Sequence, residues 1–140
     1  MKMLSNPVQS GPAKRRALVV DDSMLIRHTV CRFLEGHGFE VESATNGADA
    51  LQILTRFSPS IIFTDLDMPK LNGHQFIDAL KARVDTLDIP IVVLSARRSA
   101  DEPRATFCMK KDADIHAELL RVLDATLGGA PSPANAGSLA

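Results

Sequence analysis

Five short apolar runs recur along the chain, each of four or five residues. They are Ala17–Val20, Phe39–Ser43, Ile61–Asp65, Ile91–Leu94 and Ala105–Met109. Runs of this length next to Gly, Pro or charged residues are typical of strands. The run Phe39–Ser43 alternates apolar and polar residues, which predicts a half-buried strand, whereas the other runs predict buried ones.

Segments with helical spacing of apolar residues separate most of these runs. The spacing predicts helices over Met24–His37, over Ala48–Phe57, from Gly73 onward, and after Asp112 or Asp114, either of which can cap the last helix. Ser23 is the predicted cap of the first helix. The predicted buried positions are Ile26, Val30, Phe33 and Leu34; Leu51, Ile53 and Leu54; Phe76, Ile77, Leu80 and Val84; and Ile115, Leu119, Val122 and Leu123.

The segment after the fourth run breaks this alternation. Residues 97–104 read RRSADEPR, which is short, charged and contains Pro103, so they predict a poor helix. Strands that alternate with helices indicate an α/β domain with a doubly wound parallel sheet and helices on both faces. We predict that this domain occupies residues 16–127, between a flexible tail over 1–15 and a disordered tail over 128–140.

Composition narrows the class further. The 140 residues suit one domain, and no apolar run approaches the ~20 residues of a membrane span. The first residues lack the apolar core of a signal peptide, so we expect a cytoplasmic protein. Cys31 and Cys108 are far apart without metal-ligand spacing, which predicts two buried thiols in a reducing compartment.

The net charge of −1 hides an uneven distribution. All 17 acidic residues lie between Asp21 and Asp124, where 12 basic residues leave a net charge of −5. The cluster Lys14-Arg15-Arg16 allows contact with nucleic acid, but an acidic body repels phosphate backbones. We therefore interpret this cluster as a solvated lead-in to the first strand and expect no direct binding of nucleic acid.

Polar residues follow four of the predicted strands. Asp21 and Asp22 follow the first, Asp65 ends the third, Ser95 follows the fourth, and Lys110 or Lys111 follows the fifth. All of them would reach the same edge of a parallel sheet, where open α/β sheets bind ligands.

The types of these strand-end residues indicate which chemistry they could support together. Clustered carboxylates repel one another unless a cation joins them, and oxygen ligands suit Mg²⁺. An aspartate nucleophile, a divalent cation, a lysine and a hydroxyl are the ingredients of phosphoryl transfer.

Each residue also has a structural interpretation. The adjacent acids Asp21 and Asp22 can stabilise the start of the first helix, Ser95 can be an ordinary strand-end hydroxyl, and the two lysines can be a solvated pair. The coincidence of all of them at one edge favours a shared site. The histidines at 28, 37, 74 and 116 share no ligand spacing and are predicted to be surface residues.

Three motifs together resemble the receiver domain of two-component response regulators. They are Val19-Val20-Asp21-Asp22-Ser23, Asp65-x-x-Met68-Pro69-x-x-x-Gly73 and Val93-Leu94-Ser95-Ala96. The resemblance covers about residues 16–126. It implies a flavodoxin-like fold with strand order 2-1-3-4-5.

The resemblance also implies roles for the strand-end residues. Asp65 would accept a phosphoryl group from the phosphohistidine of a sensor histidine kinase or a phosphotransfer protein, and the domain would then switch its binding of a downstream protein. The side chains of Asp22 and Asp65 would bind Mg²⁺, with Asp21 acting through water and Asp67 through its backbone carbonyl. Ser95 would bind the phosphoryl group. The only catalysis implied is self-phosphorylation with slow self-hydrolysis.

The lysine is assigned through a spacing. In receivers an aromatic residue lies three positions before the lysine that pairs with the phosphoryl group, and it moves inward on activation. Phe107 lies three positions before Lys110, so this rule selects Lys110, with Lys111 as the alternative. Phe107 and Ser95 would then be the switch residues.

Two features depart from the family pattern. Proline usually follows the lysine in a cis peptide, but Lys111 stands after Lys110, and a cis bond without proline costs ~2.5–4 kcal/mol, so we expect a trans link. The interval from Ser95 to Lys110 is 15 residues, shorter than in the family. We therefore expect the fourth helix to be shortened or absent, Phe107 to be more exposed, and Arg97 and Arg98 to fill part of the vacated space near Asp67 or the phosphoryl group.

Two other classes of function remain open. A degenerate receiver could act as a protein-binding module that needs no phosphorylation, which the short fourth segment favours. The sequence Asp65-Leu66-Asp67 also resembles the nucleophile motif of haloacid-dehalogenase-like phosphatases. That family places the motif on its first strand and has additional residues that form a cap, so the phosphatase hypothesis is disfavoured.

Overall fold

A computed structural model describes residues 15–95, 102–111 and 114–126. Within these ranges the chain alternates between five strands and four helices. In chain order they are β1 Arg16–Val20, α1 Met24–Gly36, β2 Glu40–Ala44, α2 Gly47–Ile53, β3 Ile61–Asp65, α3 Gly73–Lys81, β4 Ile91–Ser95, β5 Phe107–Lys110 and α4 Ile115–Thr126. No helix in these ranges is long and apolar enough to cross a membrane. The two predicted tails lie almost wholly outside these ranges.

The five strands form one parallel sheet in the order β2-β1-β3-β4-β5. This is the predicted flavodoxin-like order. Val20 pairs with Thr64, which places Asp21 and Asp65 at neighbouring strand ends. Ser95 pairs with Lys110 at the end of the β4–β5 ladder. The order of the strands reverses between β1 and β3, and in open α/β sheets ligands bind at the carboxyl ends of the strands beside such a point.

Helices cover both faces of the sheet. On one face α2 and α3 pack over the strands through Ala50, Leu54, Phe76, Ile77 and Leu80. On the other face α1 and α4 contribute Val30, Leu34, Leu119 and Val122. Strands β3 and β4 are buried at every position, as expected for the centre of a two-sided parallel sheet.

Side chains cap the helices close to the strand ends. The hydroxyl of Ser23 accepts a hydrogen bond from the backbone of Ile26 at 3.3 Å, which confirms the predicted cap of α1. Asp114 accepts from the backbone of Ala117 at 3.3 Å at the start of α4. The alternative cap of that helix, Asp112, lies outside the described residues.

Some element boundaries differ from prediction. The second strand is displaced by one residue, and β5 starts at Phe107 because the backbone N–H of Ala105 closes a turn on the carbonyl of Glu102. Helix α3 ends at Lys81, where the hydroxyl of Thr86 donates to the carbonyl of Leu80 at 2.6 Å. The chain then turns away, and Val84 is 92% exposed rather than part of the apolar stripe.

Gly73 brings the start of α3 against the end of β3. Its N–H donates to the carbonyl of Leu66 at 2.9 Å. A Cβ atom at this position would lie 2.3 Å from the carbonyl oxygen of Asp65 and 2.6 Å from the Cα of Leu66. No side chain can occupy that space unless the backbone moves, which explains the glycine in the motif that ends at this residue.

The connection from β4 to β5 contains only 11 residues, 96–106. Parallel crossovers usually need a dozen or more residues and contain a helix. Its described part, 102–106, forms turns without a helix, which agrees with the prediction for residues 102–104, while 97–101 lie outside the described residues. Arg97 and Arg98, which were expected to fill the vacated space, lie outside the residues that the structure describes.

The described end of this connection contains a buried carboxylate. The side chain of Glu102 is 2% exposed, and its oxygens contact Arg104 Nε at 2.9 Å and His74 Nδ1 at 2.8 Å. Hydrogen bonds from Arg104, with a smaller contribution from His74, lower the pKa of Glu102 to about 2 against the opposing effect of burial. The connection is therefore fixed to α3 by an ionised group.

We expect Gly73→Ala to destabilise the fold by about 1–3 kcal/mol, since the added methyl group meets backbone rather than a flexible side chain. Gly36→Ala is the matched control because a Cβ there meets nothing within 4 Å, and alanine favours a helix. Urea denaturation of both variants measures the difference. Equal stability of the two variants would contradict the close approach at Gly73.

Stability should also depend on the ionisation of Glu102. Its pKa is lower in the folded state than its usual value of 4.5, so its stabilising contribution is complete above pH 4.5 and disappears as the pH falls toward about 2. We predict that the free energy of unfolding of wild type exceeds that of Glu102→Gln by about 1–3 kcal/mol at neutral pH. This difference should shrink as the pH falls from 4.5 toward about 2. Denaturation curves at a series of pH values measure it, and a difference independent of pH would refute the assignment.

Candidate functional site

Three carboxylates meet at the carboxyl edge of the sheet. Asp21, Asp22 and Asp65 each offer an oxygen, and these oxygens all lie within 4.8 Å of one another. Asp21 and Asp22 directly follow β1, and Asp65 is the last residue of the neighbouring strand β3. The structure thus brings together the three acids that the sequence placed at one edge.

Asp21 is fully buried and fixed through both its backbone and its side chain. Its carboxylate accepts a hydrogen bond from the N–H of Ser23 at 2.8 Å, and its own N–H donates to the carbonyl of Ala44 at 3.1 Å. Asp22 beside it is exposed, so the carboxylate cluster opens to solvent on that side.

Asp65 is 5% exposed, and its two carboxylate oxygens have different partners. The N–H of Asp67 donates to Oδ1 at 3.2 Å, and the ammonium of Lys111 lies 3.0 Å from Oδ2. Burial raises the pKa of Asp65, and the nearby charge of Asp21 adds to that effect, while Lys111 only partly opposes it. The buried Asp65 carboxylate therefore binds a proton or another cation more readily than an exposed aspartate does.

Lys111 joins the two buried acids. Its Nζ lies 2.8 Å from Asp21 Oδ2 and 3.0 Å from Asp65 Oδ2, and its side chain is only 15% exposed. Burial alone would lower the pKa of Lys111, but its contacts with the two carboxylates outweigh burial and raise it. The lysine therefore remains a cation and partly neutralises the acidic cluster.

The assignment of Lys110 to this site was wrong. Lys110 is the last residue of β5, opposite Ser95, and its side chain is exposed. Lys111 leaves the strand, donates its N–H to the carbonyl of Ser95 at 2.9 Å, and turns its side chain over the edge of the sheet. One residue of register thus decides which of two identical side chains enters the site.

The switch role predicted for Phe107 depends on the same spacing, and it stays a prediction. Phe107 is half-buried and packs against the core beneath α1 and α4. Three positions before Lys111 stands Cys108, which is exposed, against the prediction that both cysteines are buried. Cys31 is half-buried. This chain therefore carries a thiol where the spacing rule expects an aromatic ring.

Ser95 and Asp67 lie where the sequence placed them. Ser95 ends β4, is 6% exposed and lies next to the strand of Asp65. Asp67 is exposed and contacts Asp65 through its backbone N–H. Their roles toward a phosphoryl group and a metal ion stay predictions.

The donor set fits Mg²⁺. Asp21 Oδ2 is buried and accepts no well-directed hydrogen bond within the described part of the chain, although the Lys111 ammonium lies 2.8 Å away. A buried carboxylate oxygen in this condition is suited to a cation or to a water molecule bound to one. Three carboxylates with solvent access on one side match the preference of Mg²⁺ for oxygen ligands and retained water.

Sequence reasoning missed Arg27. Its Nη1 donates to the backbone carbonyl of Asp21 at 2.9 Å and so fixes the turn that carries the acidic pair. Its position in the second turn of a helix capped by Ser23 was the available signal, because such a residue can reach back to the preceding strand end.

The four histidines are exposed, as predicted, but three of them have partners. His37 and His116 both stack on Phe33, with ring centroids at 4.2 and 5.4 Å. His74 contacts the buried carboxylate of Glu102.

Comparison with known proteins identifies the family. The family model described as the response regulator receiver domain matches residues 17–116. The chain is 40% identical over 95 residues to the transcriptional regulatory protein PrrA of Mycobacterium tuberculosis, covering 68% of this chain and 40% of that protein. Against the response regulator MprA of Mycobacterium leprae it is 38% identical over 87 residues, covering 62% and 37%.

Solved structures agree with this match. The chemotaxis response regulator CheY4 of Vibrio cholerae superimposes with a TM-score of 0.74 at 28% identity, covering 81% of this chain and 99% of that one. The receiver domain of a sensor histidine kinase from Pseudomonas aeruginosa, whose structure has a magnesium ion coordinated in its active-site cleft, gives 0.74 at 22% identity, covering 83% and 99%. At that identity the second match shows the fold alone.

The chain therefore belongs to the response regulator receiver domain family of two-component systems. Phosphoryl acceptance is the general function of this family. The chain spans about two fifths of the length of the curated relatives that it matches.

The position of Lys111 predicts different effects for two neighbouring substitutions. Lys111→Met should destabilise the metal-free protein by about 1–3 kcal/mol because it leaves two close buried carboxylates without a cation. Lys110→Met should change stability by less than about 0.5 kcal/mol. Urea denaturation in the presence of a chelator measures both effects, and Mg²⁺ should restore part of the loss at Lys111. A larger loss at Lys110 would contradict the geometry.

Proposed function

We propose that this domain accepts a phosphoryl group on Asp65, with Mg²⁺ bound beside it, and that the modification switches its binding to a downstream protein. The observation that supports this proposal best is the convergence of Asp21, Asp22, Asp65 and Lys111 at one edge of the sheet. The phosphodonor is the phosphohistidine of a sensor histidine kinase or of a phosphotransfer protein. Receiver domains as a family work with histidine kinases and downstream effectors.

The transfer is one displacement at phosphorus. A carboxylate oxygen of Asp65 attacks the phosphorus, the bond between phosphorus and the donor imidazole nitrogen breaks, and the electron pair of that bond stays on the leaving imidazole. The product is an acyl phosphate on Asp65. No oxidant, reductant or second substrate is needed.

The acids of the site would hold the metal. The side chains of Asp22 and Asp65 would bind Mg²⁺ directly, Asp21 through water, and Asp67 through its backbone carbonyl. When bound, Mg²⁺ offsets negative charge on the phosphoryl oxygens. The magnesium ion in the related Pseudomonas receiver structure supports this cofactor.

Two further side chains would act on the transferred group. The Lys111 ammonium, 3.0 Å from Asp65 Oδ2, is close enough to pair with a phosphoryl oxygen after transfer. The hydroxyl of Ser95, at the end of the adjacent strand, would donate a hydrogen bond to another oxygen. Both contacts would stabilise the negative charge of the phosphoryl oxygens as the group is transferred to Asp65.

The domain is not proposed to turn over a separate substrate. Its chemistry is limited to accepting the group and slowly hydrolysing its own acyl phosphate. The net charge of −5 between Asp21 and Asp124 makes a protein a better downstream partner for this domain than nucleic acid. These activities are proposed to take place in the cytoplasm.

A second candidate function is protein binding without phosphorylation. The observation that favours it is the short connection 96–106, whose described part contains no helix. The acidic cluster and Lys111 favour phosphorylation instead, because a pure binding module has no need of either.

Phosphorylation separates these two candidates. We expect wild type, incubated with Mg²⁺ and a small acyl phosphate donor, to gain one phosphoryl group by intact mass and to lose it in hydroxylamine, which cleaves acyl phosphates. Asp65→Asn should gain none, and a chelator should abolish the gain in wild type. An unmodified wild type under these conditions would favour the binding module.

A further inference from the structure

The connection from β4 to β5 is bound to α3 through one buried anion and one arginine. Glu102 Oε2 accepts hydrogen bonds from the backbone N–H of Arg104 at 3.0 Å and from its Nε at 2.9 Å. Glu102 Oε1 contacts Arg104 Nη2 at 2.9 Å and His74 Nδ1 at 2.8 Å. We call Glu102 and Arg104, with these contacts, the clasp.

Arg104 extends the clasp along α3. Its Nη1 pairs with the carboxylate of Asp78, and its Nη2 donates to the backbone carbonyl of His74 at 3.4 Å. His74 and Asp78 lie four residues apart, so the arginine contacts two successive turns of one helix face. The planar guanidinium allows several such contacts at once in fixed directions.

On the α3 side, the clasp is connected to Asp65 through the contacts of Gly73. His74 directly follows Gly73, whose N–H donates to the carbonyl of Leu66 at 2.9 Å. The space beside Gly73 is so close that an added Cβ would lie 2.3 Å from the carbonyl of Asp65. The first turn of α3 is therefore packed directly against Asp65 and Leu66.

On the β5 side, the clasp is connected to Lys111 through the hydrogen bonds between β4 and β5. The backbone N–H of Thr106 donates to the carbonyl of Ile91 at 2.7 Å, and its hydroxyl accepts from the N–H of Ile91 at 3.1 Å. These bonds fix the start of β5 on β4. The same ladder ends with the N–H of Lys111 on the carbonyl of Ser95.

We propose that the clasp of Glu102 and Arg104 positions Asp65 and Lys111 relative to each other for phosphoryl acceptance. The proposal rests on the function proposed above. Glu102 and Arg104 are positioning residues because they act through α3 and β5 rather than by touching the phosphoryl group. A buried ion network can position other residues because all of its hydrogen bonds and ion pairs form in only one arrangement. This holds even where the network adds little net stability.

Substitutions in the clasp test the proposal. Glu102→Gln removes the buried charge with little change of shape, and Arg104→Lys keeps the charge but loses the multiple contacts. We expect Glu102→Gln to lower the initial rate of phosphorylation and the affinity for Mg²⁺ by about tenfold, because small misplacements of reacting groups carry costs of this order. Arg104→Lys should give an intermediate loss. Stopped samples analysed by intact mass give the rate, and calorimetric titration gives the affinity.

The matched control is Glu118→Gln, which makes the same substitution in the Glu118–Arg121 pair on the surface of α4. It should leave both quantities unchanged. Measurements are made at a temperature where every variant is fully folded. If Glu102→Gln loses stability but keeps the wild-type rate and affinity, the clasp is only structural and the proposal is overturned.

Two further results separate the proposals from each other. If wild type binds Mg²⁺ but accepts no phosphoryl group, the proposed function fails while the affinity for Mg²⁺ still tests the clasp. If Glu102→Gln does not fold, His74→Gln carries the test, since it removes a half-exposed partner of Glu102. NMR amide shifts of Asp65–Asp67 and Lys111 must then change in His74→Gln even without metal. Unchanged shifts would overturn the proposal.

Discussion

The ion pairs of Lys111 with Asp21 and Asp65 are the interaction on which the rest of the site depends. Two carboxylates buried on neighbouring strands repel each other, and burial penalises the charge of each. One ammonium, 2.8 and 3.0 Å from them, offsets both effects. That ammonium is available only while β5 stays paired with β4, because Lys111 directly follows the last residue of β5. The outer strand of the sheet and the acidic site therefore stabilise each other.

Much of this arrangement is predictable because parallel topology gathers strand ends at one edge. The sequence predicted the bounds of β3, the strand order and the meeting of Asp21, Asp22 and Asp65. The family spacing selected Lys110 where the structure places Lys111, since the two neighbours are chemically identical and only the register of β5 distinguishes them. Val84 was misassigned because the buried hydroxyl of Thr86, an interaction specific to the fold, ends the helix before it.

The connection before β5 shows a different limit of prediction. The sequence RRSADEPR predicted that no full helix forms, but nothing in it indicated that Glu102 is buried. A buried carboxylate requires partners, and those of Glu102 include His74, 28 residues earlier in the chain. Such partners are visible only in three dimensions. The clasp thus provides an ionic contact between α3 and the connection that precedes β5.

Lys111, and not Lys110, shares the acidic site with Asp65. NMR signals of the lysine ammonium groups, assigned with the two single Lys→Met variants, test it most directly. We predict that addition of Mg²⁺ and then of phosphodonor shifts the Lys111 ammonium signal strongly and leaves that of Lys110 almost unchanged. A response at Lys110 with none at Lys111 would contradict it.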